Sequence, residues 1–206
     1  MFGDLSTTST TSVTFQDILD AAERIRPHVH RTPVITSQCL NDRFDAQLFF
    51  KCENLQKTGA FKARGACNAL AWLKGTHPEL DAVAAHSSGN HAAALARAAR
   101  LFGMTAHVIM PKDSVPNKIA ATKAYGARVT LCAATLAARE EACSRAMAET
   151  GATLVHPYDN PQIIAGQGTA CLELLDQVPD LDALIVPVGG GGLLAGTLIA
   201  AHESCP

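Results

Sequence analysis

The sequence predicts an α/β protein built on parallel sheets. Three observations carry that expectation. From residue 82 onward, short β-branched or apolar segments alternate with stretches of helical length, the pattern of strand–helix–strand units. Four consecutive glycines stand between an apolar segment and a helical one. Over 206 residues the chain is 48% apolar and 17% charged, enough to bury a core and too apolar for a disordered chain.

Thr14 and Asp17 form a capping pair that opens a helix running to about Arg26. "HRTPVITS" is extended, because Pro33 biases Thr32 away from the helical region. "QLFFKCE" (47–53) reads as a short strand and "FKARGACNALAWLK" (61–74) as a helix. "AVAAH" (82–86), "AHVIMP" (106–111), "ARVTLC" (127–132) and "TLVH" (153–156) read as strands. Between them lie helices at 91–103, 116–126 and 136–151, with Pro116 opening one and Gly103 and Gly126 closing two. Asn160-Pro161 caps a helix to about Val178. "DALIVPV" (182–188) reads as a buried strand, followed by the glycines and a last helix, "LLAGTLIAAHE". The first 13 residues read as a disordered Ser/Thr tail without the basic start and apolar core of a signal peptide.

Composition excludes several functions. Seventeen Lys and Arg against 19 Asp and Glu leave a formal charge of −2, which recommends neither nucleic acid nor an anionic membrane as a partner. No apolar run is long enough to span a bilayer. Seven scattered Cys with no C-x-x-C pair suggest reduced thiols in the cytoplasm, and neither they nor the eight His show metal-ligand spacing.

Three stretches open the backbone to a ligand. In "VGGGGLLAG" (188–196), bare N–H groups before a helix form a phosphate site, or else a flexible turn. Gly190, Gly192 and Ala195 also fit a G-x-G-x-x-A dinucleotide turn, but the chain ends before the acidic ribose partner such a turn requires. In "HSSGNHAAALA" (86–96), a strand, a Ser-Ser-Gly-Asn turn and a helix start suit a carboxylate, or plain capping by Asn90 or Ser88. In "KTGAFKARGA" (57–66), Lys62 is either a solvated lysine or an activated one. A phosphate cradle, a carboxylate cradle and an activatable lysine together are what an enzyme needs to hold pyridoxal phosphate and an amino acid.

With "KCENLQKTGAFKARGA", "HSSGNHAAALA", "HPYDNPQIIAGQGT" and "VPVGGGGLLAG" in this order, the chain from about Phe15 to its end resembles the serine racemase and serine/threonine dehydratase family of fold-type II (tryptophan synthase β-like) pyridoxal-phosphate enzymes. The resemblance implies two parallel-sheet lobes with flanking helices. Residues 82–156 would form a small inserted lobe, and 14–81 with 157–206 a larger, incomplete one. Lys62 would be the Schiff-base lysine and the base for the α-proton, with Phe61 beside the cofactor and Asn90 on its 3′-oxygen. The amides of Gly189, Gly190, Gly191 and Gly192 would hold the phosphate, and Ser87, Asn90 and His91 the substrate carboxylate. Ser88, where many simple threonine dehydratases carry Ala, would be a proton donor on the opposite face, which permits racemisation. Arg139 would lie near the substrate's β-side, where it suits an acidic substrate such as 3-hydroxyaspartate, or else it is a solvated helix arginine.

The implied activity is an ammonia-lyase reaction on serine, threonine or 3-hydroxyaspartate, with serine racemisation as an additional outcome. Tyr158 departs from the family's frequent Asn, and Ala93 from its frequent Gln. Relatives continue well past "AAHESCP", so the chain is expected to be truncated and to form a homodimer or to associate with a full-length homologue. Two rival readings stand beside the lyase: an inactive half-domain, and a nucleotide-binding oxidoreductase fragment built on the dinucleotide turn.

Overall fold

A computed structural model of the protein describes residues 12–204, so most of the expected Ser/Thr tail lies outside the described residues. Helix α1 (Phe15–Ile25) begins at a full capping box: Thr14 N–H donates to Asp17 Oδ2 at 2.8 Å, and Asp17 N–H to Thr14 Oγ1 at 3.3 Å. It buries Ile18, Ala21 and Ile25, two of them with Ala165, Cys171 and Ala200 in one core cluster. Strand β1 (Val34–Thr36) pairs antiparallel with β2 (Phe49–Lys51) around helix α2 (Gln38–Phe44), a helix that propensity and pattern did not announce. Two short 3₁₀ turns lead into helix α3 (Lys62–Thr76), which runs through the interior and buries Ala63 to Leu70 without a break.

The alternating half of the chain forms one parallel sheet in the order β5-β4-β3-β6. Its strands are β3 (Ala82–His86), β4 (Thr105–Pro111), β5 (Arg128–Cys132) and β6 (Thr153–Leu154). The connecting helices are α4 (Asn90–Leu101), α5 (Pro116–Ala124) and α6 (Leu136–Thr150). Small side chains let α4 lie close on the sheet: Ala92, Ala94, Ala98 and Ala99 pack with Val83, Ala85, Val108 and Met110 in the main core cluster. Helix α7 (Pro161–Gln177), capped by Asn160 with Pro161 behind it, then crosses α3 and α1. Helix α8 (Gly192–Ser204) packs on α7.

Three expectations are corrected. The predicted strand at 182–188 is not one: Ile185 is 94% exposed and Val188 64% exposed, because no neighbouring strand among the described residues supplies its hydrogen bonds or covers its face. The segments 47–53 and 153–156 shrink to three and two strand residues, although Val155 N–H still reaches Ala84 O at 2.9 Å. The described residues therefore hold one parallel sheet, not two; the second sheet is the antiparallel β1–β2 pair. No helix among them is long and apolar enough to cross a membrane.

Candidate active site

The carboxyl ends of the parallel strands are where ligands bind in such sheets, and two of the three predicted openings lie there or next to it. Strand β3 ends at His86, and Ser87 N–H is tied to Ile109 O on β4 at 3.0 Å. The turn then enters α4 with Gly89 as the cap residue and no side-chain cap at all. Asn90 and Ser88 therefore do not cap the helix. Among the described residues the amides of Ser88, Asn90, His91 and Ala92 meet no protein acceptor, while Gly89 N–H donates to Ser87 Oγ at 3.3 Å. This leaves several donors at the positive end of a 12-residue helix for an anion. Ser88 and Asn90 are exposed and Ser87 is half-buried.

His91 differs from the rest. Its ring is 2% exposed and Nε2 donates to Val155 O at 3.1 Å, which leaves Nδ1 as a buried acceptor without a partner. Burial pushes its pKa down to about 3, so the ring is neutral and has no donor left for a carboxylate; only its main-chain amide can serve. The unfolded chain takes up this proton near 6.5 and the folded one only near 3, so stability falls as pH drops through that window. In His91→Gln, whose amide nitrogen can replace Nε2, the urea midpoint should lose that part of its pH dependence between those limits. Equal pH profiles for the two proteins would refute the buried neutral ring.

Lys62 opens α3. Its Nζ donates to Pro157 O at 2.7 Å and lies 5.2 Å from the centre of the Phe61 ring. Burial lowers its pKa, which favours the unprotonated, nucleophilic amine. The next residue, Tyr158, lies with its ring on the glycine loop: a Cβ on Gly190 would fall 2.1 Å from the ring, so only glycine fits there. Gly191 sits at φ +86°, the left-handed region that glycine occupies without strain. The amides of Gly189, Gly190, Gly191 and Gly192 have no protein acceptor among the described residues, and they stand at the start of α8. The short Pro157–Tyr158 segment thus holds the lysine and the glycine loop together. His156 precedes it; its Nδ1 accepts the Asp159 amide at 2.9 Å, and its ring meets those of Tyr158 at 4.5 Å and His86 at 6.1 Å.

Arg139 is half-buried near the start of α6 and shares with Ser88 a polar cavity of about 360 Å³, which also includes Lys118. Phe61 lines a different, apolar cavity of about 430 Å³ with Leu184, Val186 and Leu193. Sequence reasoning missed Lys118, the His86–His156 pair and the buried ion cluster behind Lys62. The cluster centres on Arg64, which bonds Glu53 and Glu173 with 2.7–2.8 Å contacts. Its signal was visible only as an arginine at the third position of an apolar helix.

The donor set fits pyridoxal phosphate. A desolvated lysine amine, an uncapped run of glycine amides that a side chain would block, and a second uncapped helix start suit an aldehyde, a phosphate and an amino-acid carboxylate. Comparison with known proteins agrees. The chain is 50% identical over 196 residues to a serine racemase of Dictyostelium discoideum, covering 95% of this chain and 60% of the relative. It is 48% identical over 193 residues to an L-threo-3-hydroxyaspartate ammonia-lyase of Saccharomyces cerevisiae, covering 94% of this chain and 59% of the relative. The crystal structure of a pyridoxal 5'-phosphate-dependent aspartate racemase superposes with a TM-score of 0.92 at 41% identity, over 94% of this chain and 60% of that one. The chain thus spans about 60% of the length of these relatives. Residues 25–206 match the family described as "Pyridoxal-phosphate dependent enzyme". With the family model matched over most of its length and the α/β frame shared with the superposed structure, the chain belongs to the pyridoxal-phosphate dependent enzymes.

Proposed function

We propose that the protein is an ammonia-lyase for small hydroxy amino acids, with pyridoxal 5'-phosphate as cofactor and serine, threonine or 3-hydroxyaspartate as substrate. The observation that carries this reading is the desolvated Lys62 amine, joined through Pro157 and Tyr158 to the open glycine loop. The amides of Gly189–Gly192 would hold the phosphate, Asn90 the ring oxygen, and the Lys62 amine the aldehyde end of the cofactor. Ser87 and the amides of Asn90 and His91 hold the substrate carboxylate at the start of α4. When bound, the cofactor draws electrons from the substrate's α-carbon. Lys62 Nζ would take the α-proton, the β-hydroxyl would leave as water, and a water molecule would then displace the nitrogen from the α-carbon of the unsaturated product, giving a keto acid and ammonia. Phe61 and Tyr158 flank the lysine and the glycine loop and limit the access of water to them.

A second outcome, racemisation, is favoured by one observation. Ser88 is exposed and lines the polar cavity, and on this reading its hydroxyl returns a proton to the α-carbon from the face that Lys62 does not serve. The same reading divides the chain into 82–156 as the small lobe and 14–81 with 157–206 as the large one. The exposed face of 182–188 supports association, as a homodimer or with a full-length homologue. Among the described residues Cys39, Cys52, Cys67, Cys132 and Cys143 are free thiols, which supports a reducing, cytoplasmic setting.

The test is the visible spectrum of the purified chain with added pyridoxal phosphate. The chain should show a visible absorption band from bound cofactor that Lys62→Ala abolishes, and the banded protein should release ammonia from L-serine, L-threonine or 3-hydroxyaspartate. A folded protein with no band, or a band indifferent to Lys62, would overturn the proposal.

A further inference from the structure

The segment that joins Lys62 to the glycine loop has no backbone hydrogen bond of its own. Residues 157–160 bend between β6 and α7, and among the described residues no main-chain hydrogen bond closes the bend. Its ends are anchored: Val155 N–H donates to Ala84 O at 2.9 Å, and Asn160 caps α7. Within it, Asp159 N–H donates to one partner, Nδ1 of His156, at 2.9 Å. The same ring stands edge-on to Tyr158, with centroids 4.5 Å apart. Tyr158 meets the loop twice: a Cβ on Gly190 would fall 2.1 Å from its ring, and one on Gly192 would fall 2.9 Å from its carbonyl oxygen. Pro157 O accepts from Lys62 Nζ at 2.7 Å. One imidazole therefore closes the bend whose carbonyl holds the lysine and whose aromatic ring covers the glycines.

This bond requires a neutral ring. Nδ1 accepts only while the proton sits on Nε2; a protonated ring presents N–H at both nitrogens, and Asp159 N–H then faces another donor. Burial has the largest influence and pushes the His156 pKa down. His86 at the end of β3 and Lys62 on α3 act in the same sense, while Asp159 and Glu140 on α6 oppose them. Arg139 on α6 bears on His86, and buried His91 on α4 also feels the His156 charge. The balance keeps the ring neutral at neutral pH and lets it take a proton only below the usual histidine range.

We propose that His156 is a positioning residue of the candidate site: its neutral ring holds the Pro157–Tyr158 bend that sets Lys62 against the glycine loop, and protonation of the ring releases both. This rests on the reading of Lys62 and Gly189–Gly192 as the seat of the cofactor's aldehyde and phosphate. His156 acts on that seat only through Pro157 O and the Tyr158 ring. Acid thus loosens the lysine and uncovers the loop together.

The test begins with the cofactor-free 206-residue chain. The amide NMR signals of Asp159, Gly190 and Gly192 are followed from about pH 8 to about pH 5, the range in which histidine changes charge. All three should move together, with the midpoint of the His156 ring signals and below the usual histidine range. His156→Asn, whose Oδ1 takes the place of Nδ1 and does not titrate, should keep the high-pH signals throughout. His156→Leu, with no acceptor for the Asp159 amide, should show the low-pH signals throughout. The visible band with added pyridoxal phosphate gives a second readout. At neutral pH His156→Leu should bind the cofactor about fivefold more weakly, the worth of one hydrogen bond, and His156→Asn as tightly as the unaltered chain. Glycine signals that still titrate in His156→Asn would assign the effect to His86 or another group. Glycine signals that stay fixed while Asp159 moves would uncouple the bend from the loop. Either result overturns the proposal, as does a cofactor affinity of His156→Asn as low as that of His156→Leu. If no band forms in any of the three proteins, the cofactor reading fails, and the amide titration alone decides whether His156 holds the bend.

Discussion

Replacing Arg64 by Met should lower the free energy of unfolding by about 3–5 kcal/mol, the cost of stripping one partner from a buried ion cluster. The Arg64 side chain is fully buried. Nε and Nη2 grip Glu53 at 2.8 and 2.7 Å, Nη1 and Nη2 grip Glu173 at 2.8 and 2.8 Å, and Nη2 also reaches His30 O at 3.3 Å. Lys51 adds a 2.7 Å contact to Glu173, so two cations balance two carboxylates. Met fills the space of the aliphatic stem but leaves Glu53 and Glu173 facing each other with one cation between them. The effect should also appear in acid. Burial by itself raises the Glu173 pKa, but the Arg64 hydrogen bonds and charge outweigh it and hold the group below its ordinary value. Its contribution to stability is thus complete above about 4.5 and fades as pH falls through the lowered folded value. Arg64→Met should move that acid transition to higher pH. Urea unfolding at neutral pH checks the first claim, and a loss under 1 kcal/mol would mean that the cluster is worth little more than a surface pair. Because Lys62 stands two residues before Arg64 on the same helix, the cofactor band should weaken in the same variant.

A second large effect is expected at Gly166. A methyl there would lie 2.6 Å from Gly65 Cα and 2.9 Å from Arg64 O, both backbone atoms that cannot swing away. Gly168 and Gly196 repeat the arrangement between α7 and α8, where a Cβ on Gly196 would be 2.6 Å from Gly168 N. Helices α3, α7 and α8 can cross this closely only because glycine faces glycine. Gly166→Ala should therefore cost about 3 kcal/mol through forced separation of α3 and α7, even though alanine is intrinsically the better helix former by about 1 kcal/mol. Gly75→Ala is the matching control. It lies in the last turn of α3 with nothing near its missing side chain, so it should be neutral or stabilise by up to about 1 kcal/mol. Thermal or urea unfolding of the pair decides the matter; similar effects for both would show that the crossing is looser than the contacts require.

What could be read in the sequence was local. The capping box at Thr14, Asn160-Pro161 before α7, Pro116 at the start of α5 and the strand–helix alternation from 82 to 154 each depend on neighbours within a few residues. Lys62 and the four glycines were legible as candidates because unusual backbone or side-chain chemistry at a helix start is visible without a fold. What only the tertiary structure decided depends on contacts distant in sequence. The segment 182–188 has the composition of a strand, but strand character needs a paired neighbour, and it stands unpaired with Ile185 exposed. His91 looks like one more polar residue in an open turn, yet the fold turns its ring inward to Val155 and leaves only its amide for a ligand. Arg64 and Lys118 are ordinary cations in the sequence. One became the centre of a buried cluster because α7 brings Glu173 to it, and the other faces the α4 turn because α5 packs beside α4. Hydrophobic periodicity and caps are written along the chain; the partner of a buried charge is set by which elements pack together.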